Sequence, residues 1–354
     1  MNTMKILLVE DDKGEQETFK DSVAAFNRKF SQSVNVNYEV AGSSEEAKDK
    51  LNGSFDGMIL DMKLKDDMEG GNKVAQALAE AFWPIPVIFV TSYPDMIRDC
   101  DVVLKKRARG DETYESDFQL FLKIKKTGIS HILGGTGKIR QTLATVFFKN
   151  ILPQLDIWQK YGDLDSDQTE EALLRHTLNH LLQLLDQNNA KPLYPEEFYL
   201  SPPLTDKIRT GSIIQRKEDK QFFVVLSPAC DLVERSGEIK TNRVLIVEID
   251  SKKVLRDENK EFEKPFEENS KILKNSHNLN HHFLPPISTF DGGFINFRKL
   301  QSLSLNSIRE EFSSPQIQIA SEFIKDIVSR FSQYYARQGQ PEIDTKHILE
   351  ILNR

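Results

Sequence analysis

The sequence predicts an α/β chain, in which a doubly wound five-stranded parallel sheet is followed by a helical connector and a β-rich α+β domain. In the first third, short continuous apolar runs, typical of strands covered by helices on both faces, alternate with segments of helical periodicity. After residue 190, short segments bounded by turn residues are typical of antiparallel strands. The length of 354 residues suits two or three domains of ordinary size.

The elements of the first third can be placed individually. One apolar stripe at spacings of four and three, formed by Phe19, Val23 and Phe26, indicates a helix after the first strand. Ser43 and Glu46 have the spacing of a capping box, which predicts the start of a second helix. The predicted strands are Met4–Val9, Val34–Val40, Phe55–Leu60, Pro86–Val90 and Asp101–Leu104, and an Ala-rich helix is predicted at Lys73–Ala81.

Polar side chains of complementary chemistry follow these strands. They are Glu10, Asp11 and Asp12 after the first strand, Asp61 after the third, Thr91 and Ser92 after the fourth, and Lys105 after the fifth. Ligands bind outside the carboxyl ends of the strands in such sheets, so we expect these groups at one site. Converging carboxylates repel one another unless a hard cation lies among them, and oxygen ligands suit Mg²⁺. A carboxylate beside that cation can accept a phosphoryl group, whose other oxygens a hydroxyl and an ammonium can hold. The alternative is that each acid is a solvated loop residue.

Residues 4 to about 125 resemble a response-regulator receiver domain of bacterial two-component signalling. The segments that carry the resemblance are Lys5–Asp12, Phe55–Leu64 and Val87–Ser92. The resemblance implies a flavodoxin-like strand order and phosphorylation of Asp61 by a sensor histidine kinase or phosphotransfer protein. It also implies that Mg²⁺ is held by Glu10, Asp11, Asp61 and the carbonyl of Lys63, that Thr91 is the switch hydroxyl, and that Lys105 is the lysine that contacts the phosphate.

The fifth strand departs from the family pattern. Lys106 follows Lys105 where receivers usually have Pro, so either lysine can be the one that contacts the phosphate. Val102 and Val103 stand where the family tends to have a Tyr or Phe. The sequence therefore offers no aromatic ring that could move together with the Thr91 hydroxyl, as such a ring usually does in the family. The polar stretch 105–115 is longer than the family norm and is either a solvated loop, which we favour, or an insertion that contacts a partner.

A glycine-rich segment at 134–137 does not fit a nucleotide-binding P-loop. That motif needs Gly five residues before its Gly-Lys pair and Ser or Thr after the Lys, but Ile132 and Ile139 occupy these positions. We therefore predict a flexible turn that leads into a helix at Ile139–Leu152 and separates a receiver domain, 1–128, from a connector, 129–190.

A second connector helix is predicted at Thr169–Gln187. It is rich in Leu, and so wide an apolar face must be buried in a helical hairpin or in a homodimer. His176 and His180 are four residues apart and can in principle share a metal. No acidic residue between them could act as a general base in the metalloprotease manner, so an ordinary helical surface is favoured.

Residues 191–354 are predicted to form an output domain of unknown type. Strands are expected at Gly211–Gln215, Gln221–Leu226, Arg243–Ile249, His282–Leu284 and Gly293–Phe297, and helices at Glu322–Tyr335 and Thr345–Leu352. Together the strands suggest a small β-barrel or a strongly bent sheet. The resemblance does not extend to this region.

Cys230 and three histidines, His277, His281 and His282, are the chemistry-bearing residues of this region. A cysteine and a histidine can form a nucleophilic pair or part of a metal site. A cysteine after an apolar strand is more often a small buried residue, which is the favoured interpretation. With two cysteines in the whole chain, a disulfide framework is excluded.

The net charge and the lengths of the apolar runs argue against a DNA-binding protein and a membrane-spanning protein. The net charge of −7 offers no basic footprint for nucleic acid, and the terminal helices mix acids with bases, so DNA binding is not expected. No apolar run reaches the roughly 20 residues of a membrane span, and no signal-peptide pattern precedes the first strand, so we expect a cytoplasmic protein.

The leading hypothesis is a phosphorelay switch that controls a C-terminal output by conformational or dimerisation change, rather than a dedicated enzyme. One alternative is a receiver-gated enzyme that uses Cys230 and a histidine. The other is an output that docks proteins without catalysis.

Overall fold

The computed structural model describes residues 2–135, 137–186, 192–235, 238–253, 270–276, 279–337 and 343–353. The chain divides into two compact units, Met1–Asn189 and Ala190–Arg354. The helices that follow the predicted receiver domain therefore belong to the first unit.

The first unit contains the predicted parallel sheet. Its strands are β1 (Asn2–Val9), β2 (Val34–Ala41), β3 (Gly57–Leu60), β4 (Val87–Thr91) and β5 (Val103–Ala108). All neighbours pair in parallel in the order β2-β1-β3-β4-β5, which is the flavodoxin-like order. The predicted fold class is confirmed, although β5 begins two residues later than predicted and runs four residues further.

Helices cover both faces of this sheet: α1 (Lys13–Lys29), α2 (Ser44–Lys50), α3 (Gly70–Glu80) and α4 (Tyr114–Lys126). The predicted start of α2 is confirmed, because the N-cap Ser43 accepts from the Glu46 N–H. The reciprocal bond of a capping box is not made, since the Glu46 carboxylate accepts from the N–H of Gly42, one residue before the N-cap. Between β4 and β5 the described chain forms only the 3₁₀ turn Pro94–Met96. Strand and helix therefore do not alternate at this step.

A buried ion pair fixes α4 to β5. The Arg107 guanidinium on β5 donates to the Asp117 carboxylate on α4, with Nη2 at 2.6 Å and Nε at 3.1 Å from Oδ2. Both side chains are almost fully buried, and the guanidinium also lies over the Tyr114 ring. The pair holds the last residues of β5, and hence the sheet edge beyond them, in a fixed position.

The rest of the first unit is helical, with α5 (Ile129–Leu133), α6 (Lys138–Val146), α7 (Leu155–Leu164) and α8 (Ser166–Asp186). Between α6 and α7 the chain stays helical through a π turn, Phe147–Ile151, and a 3₁₀ turn, Leu152–Gln154. Pro153 lies in the 3₁₀ turn and has no N–H to donate, which explains why the regular hydrogen-bond ladder is interrupted there. α8 packs against both α7 and α6. The hairpin is predicted with a helix at Ile139–Leu152, which corresponds to α6 and the turns after it, but α7 stands between this segment and α8 in the chain.

The glycine-rich segment is a packed turn rather than a flexible one. The Gly135 N–H donates to the Gly53 carbonyl at 2.7 Å, and a Cβ on Gly53 would lie 2.4 Å from the Gly135 Cα. Arg140 lies over the Trp83 ring and donates to the Gly135 carbonyl. The glycines thus allow two backbones to meet, and they attach α5 and α6 to the sheet domain.

The second unit is built on an antiparallel sheet with the order β12-β13-β11-β8-β7-β14-β6. Its strands are β6 (Tyr199–Leu200), β7 (Ser212–Gln215), β8 (Phe222–Val225), β11 (Arg243–Asp250), β12 (His281–Leu284), β13 (Gly293–Ser304) and β14 (Ile317–Ile319), beside a two-stranded sheet of β9 (Glu234–Arg235) and β10 (Glu238–Ile239). Its helices are α9 (Ala229–Leu232), α10 (Leu305–Glu311), α11 (Ser321–Ala336) and α12 (Thr345–Leu352).

A β-rich second domain is therefore confirmed. In the described residues the strand order is open, with β12 and β6 at its edges, so a closed barrel is not formed there. The pairing of β11 with β13 shifts register between Val247 and Ile249. The apolar side of α11, including the fully buried Ile327, packs into the core on one face of this sheet.

In the described part of the chain, no helix is both long and apolar enough to cross a bilayer.

Candidate functional site

Three carboxylates meet at the carboxyl edge of the parallel sheet. Glu10 and Asp11 follow β1, and Asp61 follows β3. One carboxylate oxygen from each lies within 4.8 Å of the others, and Glu10 and Asp61 are buried. Among the described residues, Glu10, Asp11 and Asp61 are the one set of three His, Cys, Asp or Glu side chains close enough together to hold a metal ion.

Asp61 is held by neighbouring strands. Its backbone N–H donates to the Val9 carbonyl at 2.9 Å. Its Oδ1 accepts from the Met62 N–H at 2.8 Å, and the hydroxyl of the fully buried Thr91 lies near the same carboxylate and lowers its pKa. The structure thus brings Thr91 to Asp61.

The cation at this site is Arg109. Its Nη2 lies 2.8 Å from Oδ2 of Asp61 and 2.6 Å from Oε2 of Glu10, and its backbone N–H donates to the Thr91 carbonyl at 3.1 Å. Sequence reasoning missed this residue. One signal was available, because Lys105, Arg107 and Arg109 alternate as in a strand that continues past Leu104.

The structure does not bring Lys105 or Lys106 to Asp61. The Lys105 Nζ lies 2.5 Å from Glu112, and the Lys106 Nζ lies 2.8 Å from Asp99. β5 pairs with β4 through Ala108, so Lys105 is opposite Ile88 in mid-strand and not at the sheet edge. The assignment of the site's cation to Lys105 is corrected to Arg109 on this geometry.

The acids of the site carry more negative charge than Arg109 offsets. Burial raises the pKa of Glu10 to about 7, and the Asp61 charge adds to the increase. Burial also raises the pKa of Asp61, against the hydrogen bond from Thr91 and the charge of Arg109. An oxygen-only, negatively charged donor set fits a hard divalent cation such as Mg²⁺.

The loop after β3 forms one wall of the site. Lys63 lies two residues beyond Asp61 and is half-buried. The Gly71 N–H donates to the Met62 carbonyl at 2.9 Å, and a Cβ at Gly71 would lie 2.4 Å from the Asp61 carbonyl oxygen. Only glycine allows this close approach of α3 to the Asp61 backbone.

The second unit does not assemble the predicted cysteine–histidine site in its described residues. Cys230 on α9 is exposed, not buried as predicted, and its Sγ lies 3.7 Å from Asp231 Oδ1. His281 and His282 lie on β12, three strands from β8, which is roughly 14 Å at ordinary strand spacing. His277 lies outside the described residues. No metal cluster in the described residues includes these side chains.

His282 makes the second unit sensitive to acid. Burial, together with the charge of Arg330, lowers the pKa of His282 to about 3. The exposed Asp326 carboxylate, 3.9 Å from Nδ1, is too well solvated to reverse this. Below pH 6.5 the His282 side chain is protonated in the unfolded state but stays neutral in the folded state. The free energy of unfolding therefore decreases as pH falls from about 6.5 toward 3.

We expect the free energy of unfolding of wild type to fall by about 2 kcal/mol between pH 7 and pH 5 relative to His282→Gln, measured by urea unfolding. Equal losses in both proteins would contradict this, and His347→Gln, at an exposed histidine of the same unit, is the control.

The N-terminal third of the chain, which holds the parallel sheet, is similar in fold to solved receiver domains. A CheY-like response regulator receiver domain from Methylobacillus flagellatus is 16% identical over 34% of this chain and 99% of that chain, with a TM-score of 0.28. The non-phosphorylated HemR receiver domain from Leptospira biflexa is 24% identical over 34% and 92%, with a TM-score of 0.26. A receiver domain protein from Clostridium thermocellum is 18% identical over 35% and 98%, with a TM-score of 0.27. No protein-family model and no curated protein matches the chain.

Proposed function

We propose that the first unit is a phosphoacceptor switch of a two-component phosphorelay, in which Asp61 is phosphorylated by a sensor histidine kinase or phosphotransfer protein. The observation that supports this most directly is the set of contacts around Asp61. A buried carboxylate lies beside two more acids, a buried hydroxyl and a guanidinium, all at the carboxyl edge of one parallel sheet.

In the proposed reaction, a carboxylate oxygen of Asp61 attacks the phosphorus of the donor's phosphoryl group. An O–P bond forms, the bond to the donor breaks, and the donor leaves with that electron pair. The Met62 N–H already donates to Asp61, and the Thr91 hydroxyl lies near the same carboxylate, so both can orient it. Glu10, Asp11, Asp61 and the carbonyl of Lys63 would hold Mg²⁺, which offsets the charge on the transferring oxygens.

Arg109 is proposed as the group that binds the transferred phosphoryl oxygens. Its guanidinium already contacts Asp61, and its Nε is buried with no hydrogen-bond partner among the described residues. A guanidinium offers several donors in a planar fork that suits phosphate. The unpartnered Nε–H is thus a donor for which a phosphoryl oxygen is a suitable acceptor.

We further propose that phosphorylation controls the second unit as an output, with a second copy of the chain as one partner. Exposed leucines on α8 at four-residue spacing support a homodimer: Leu174, Leu178 and Leu182 are each about half exposed or more. Such a stripe fits a helix–helix contact. Cys230 is exposed and lies far from the histidines of β12. These observations favour an output domain that binds other proteins without catalysis over an enzyme that uses Cys230 and a histidine.

The test of the proposed function is phosphoryl labelling of the full chain. With a labelled small-molecule phosphodonor and Mg²⁺, we expect label on the first unit as an acyl phosphate, which hydroxylamine removes. EDTA is expected to suppress labelling by at least about tenfold, because the oxygen donor set needs a divalent cation to balance its charge.

The matched control is the same incubation with Mg²⁺ restored after EDTA, which should return the label. Absence of label under every condition, or label that hydroxylamine does not remove, would overturn the proposed function.

A further inference from the structure

Two histidines converge on one face of α8. The Nε2 atoms of His176 and His180 lie 3.2 Å apart, and their rings are perpendicular, with an interplanar angle of 88°. Both side chains are half-buried, and the Trp158 ring of α7 lies 5.6 Å from that of His176. The packing of α7 on α8 therefore restricts where these imidazoles can turn.

The separation of the two nitrogens is that of a hydrogen bond when one Nε2 carries a proton, and it also suits a shared metal ion when neither does. Metal–imidazole bonds of about 2.0–2.1 Å in tetrahedral geometry place two Nε2 atoms about 3.3–3.4 Å apart. Residues four apart lie one turn from each other on the same helix face, so no backbone change is needed to bring both nitrogens to one ion. We propose that His176 and His180 form a transition-metal site that binds Zn²⁺ or Ni²⁺ through Nε2, with its remaining coordination positions open.

A second observation concerns the Trp158 side chain, whose ring contacts that of His176. The Trp158 indole nitrogen is buried and has no hydrogen-bond partner among the described residues. An indole N–H can only donate, and an unpartnered buried donor is costly. This donor belongs to the ring that packs against His176, so a polar ligand bound beside these two helices would have a donor available.

The chemistry of this site separates it from the acidic one. Imidazole nitrogens suit Zn²⁺, Ni²⁺ and Cu²⁺, whereas carboxylate and carbonyl oxygens suit Mg²⁺. Excess Mg²⁺ is therefore expected to occupy the Glu10, Asp11 and Asp61 group without displacing Zn²⁺ from α8. Because the metal binds the folded helix, it should also raise the unfolding midpoint of the first unit.

The test is a Zn²⁺ titration of the full chain in excess Mg²⁺, followed by competition with a chromophoric chelator. We expect wild type to bind one Zn²⁺ that both His176→Gln and His180→Gln weaken by at least about tenfold, since even the loss of an outer-shell partner costs 10- to 100-fold. Gln keeps the helix and a polar side chain, so circular dichroism of both variants should match wild type. His347→Gln, an exposed histidine on α12, and Asp11→Asn should leave the affinity unchanged.

Tryptophan fluorescence gives an independent readout. Ni²⁺ is paramagnetic and should quench Trp158, so the quenching should disappear in Trp158→Phe while Trp83 still emits. Equal Zn²⁺ affinity in wild type and both Gln variants would overturn the proposal. So would loss of binding in Asp11→Asn alone, or Ni²⁺ quenching that survives in Trp158→Phe.

Discussion

Asp61→Asn is expected to abolish phosphoryl labelling of the chain. The amide keeps the size of the side chain and the hydrogen bond that its oxygen accepts from the Met62 N–H. It lacks the anionic oxygen that must attack phosphorus. With phosphodonor and Mg²⁺, we expect at least about a hundredfold less label than wild type carries, which is a loss of about 2.7 kcal/mol or more in transition-state free energy.

The loss of label should not come from unfolding. Asp61 is one of three close carboxylates, and its charge helps to raise the pKa of Glu10. Removing that charge relieves repulsion, so the variant should be as stable as wild type or more stable. Asp66→Asn is the matched control, because Asp66 lies in the same loop but is exposed. Label retained on Asp61→Asn would place the phosphoacceptor elsewhere.

Asp117→Ala is expected to destabilise the first unit by about 3–5 kcal/mol. The substitution leaves the Arg107 guanidinium buried without its carboxylate. Burial raises the pKa of Asp117 in spite of its hydrogen bond to Arg107, which indicates how strongly this site disfavours an unpaired charge. Urea unfolding followed by tryptophan fluorescence reports on the first unit alone, because both tryptophans, Trp83 and Trp158, belong to it.

Two controls distinguish the buried pair from an ordinary surface pair. Glu112→Ala removes the more exposed partner of Lys105 and should cost no more than about 1 kcal/mol. The double variant Arg107→Met with Asp117→Leu removes both charges and should recover most of the stability that Asp117→Ala loses. If Asp117→Ala costs no more than Glu112→Ala, the ion pair does not hold α4 against β5.

The predicted elements of the first unit agree well with the structure because each has a strong local signal. The N-cap at Ser43 and the apolar runs of β1, β3 and β4 are readable over a few residues. The strands of the second unit were harder to predict from the sequence. β6 and β14 have only two and three residues, too few for a period to appear. β13 continues seven residues past its predicted end because its second half pairs with β11.

The sequence by itself determined that Glu10, Asp11, Asp61 and Thr91 lie together. Their strands are parallel neighbours, and parallel strands bring their carboxyl ends to one edge of a sheet. Only the tertiary structure determines which positively charged side chain lies beside these four residues. Between Val87 and Ile88 the register shifts, so that Val87 is opposite Val103 but Ile88 is opposite Lys105.

This shift, and the continued pairing of β5 as far as Ala108, place Arg109 beside Asp61 and leave Lys105 in mid-strand. Strand register depends on pairing with a distant segment, and a single extra residue changes which side chain faces a site. The same holds for the packing of α7 on α8, which sets the Trp158 ring beside His176. A spacing of four along the chain brings two histidines to one helix face, but only the fold decides what surrounds them.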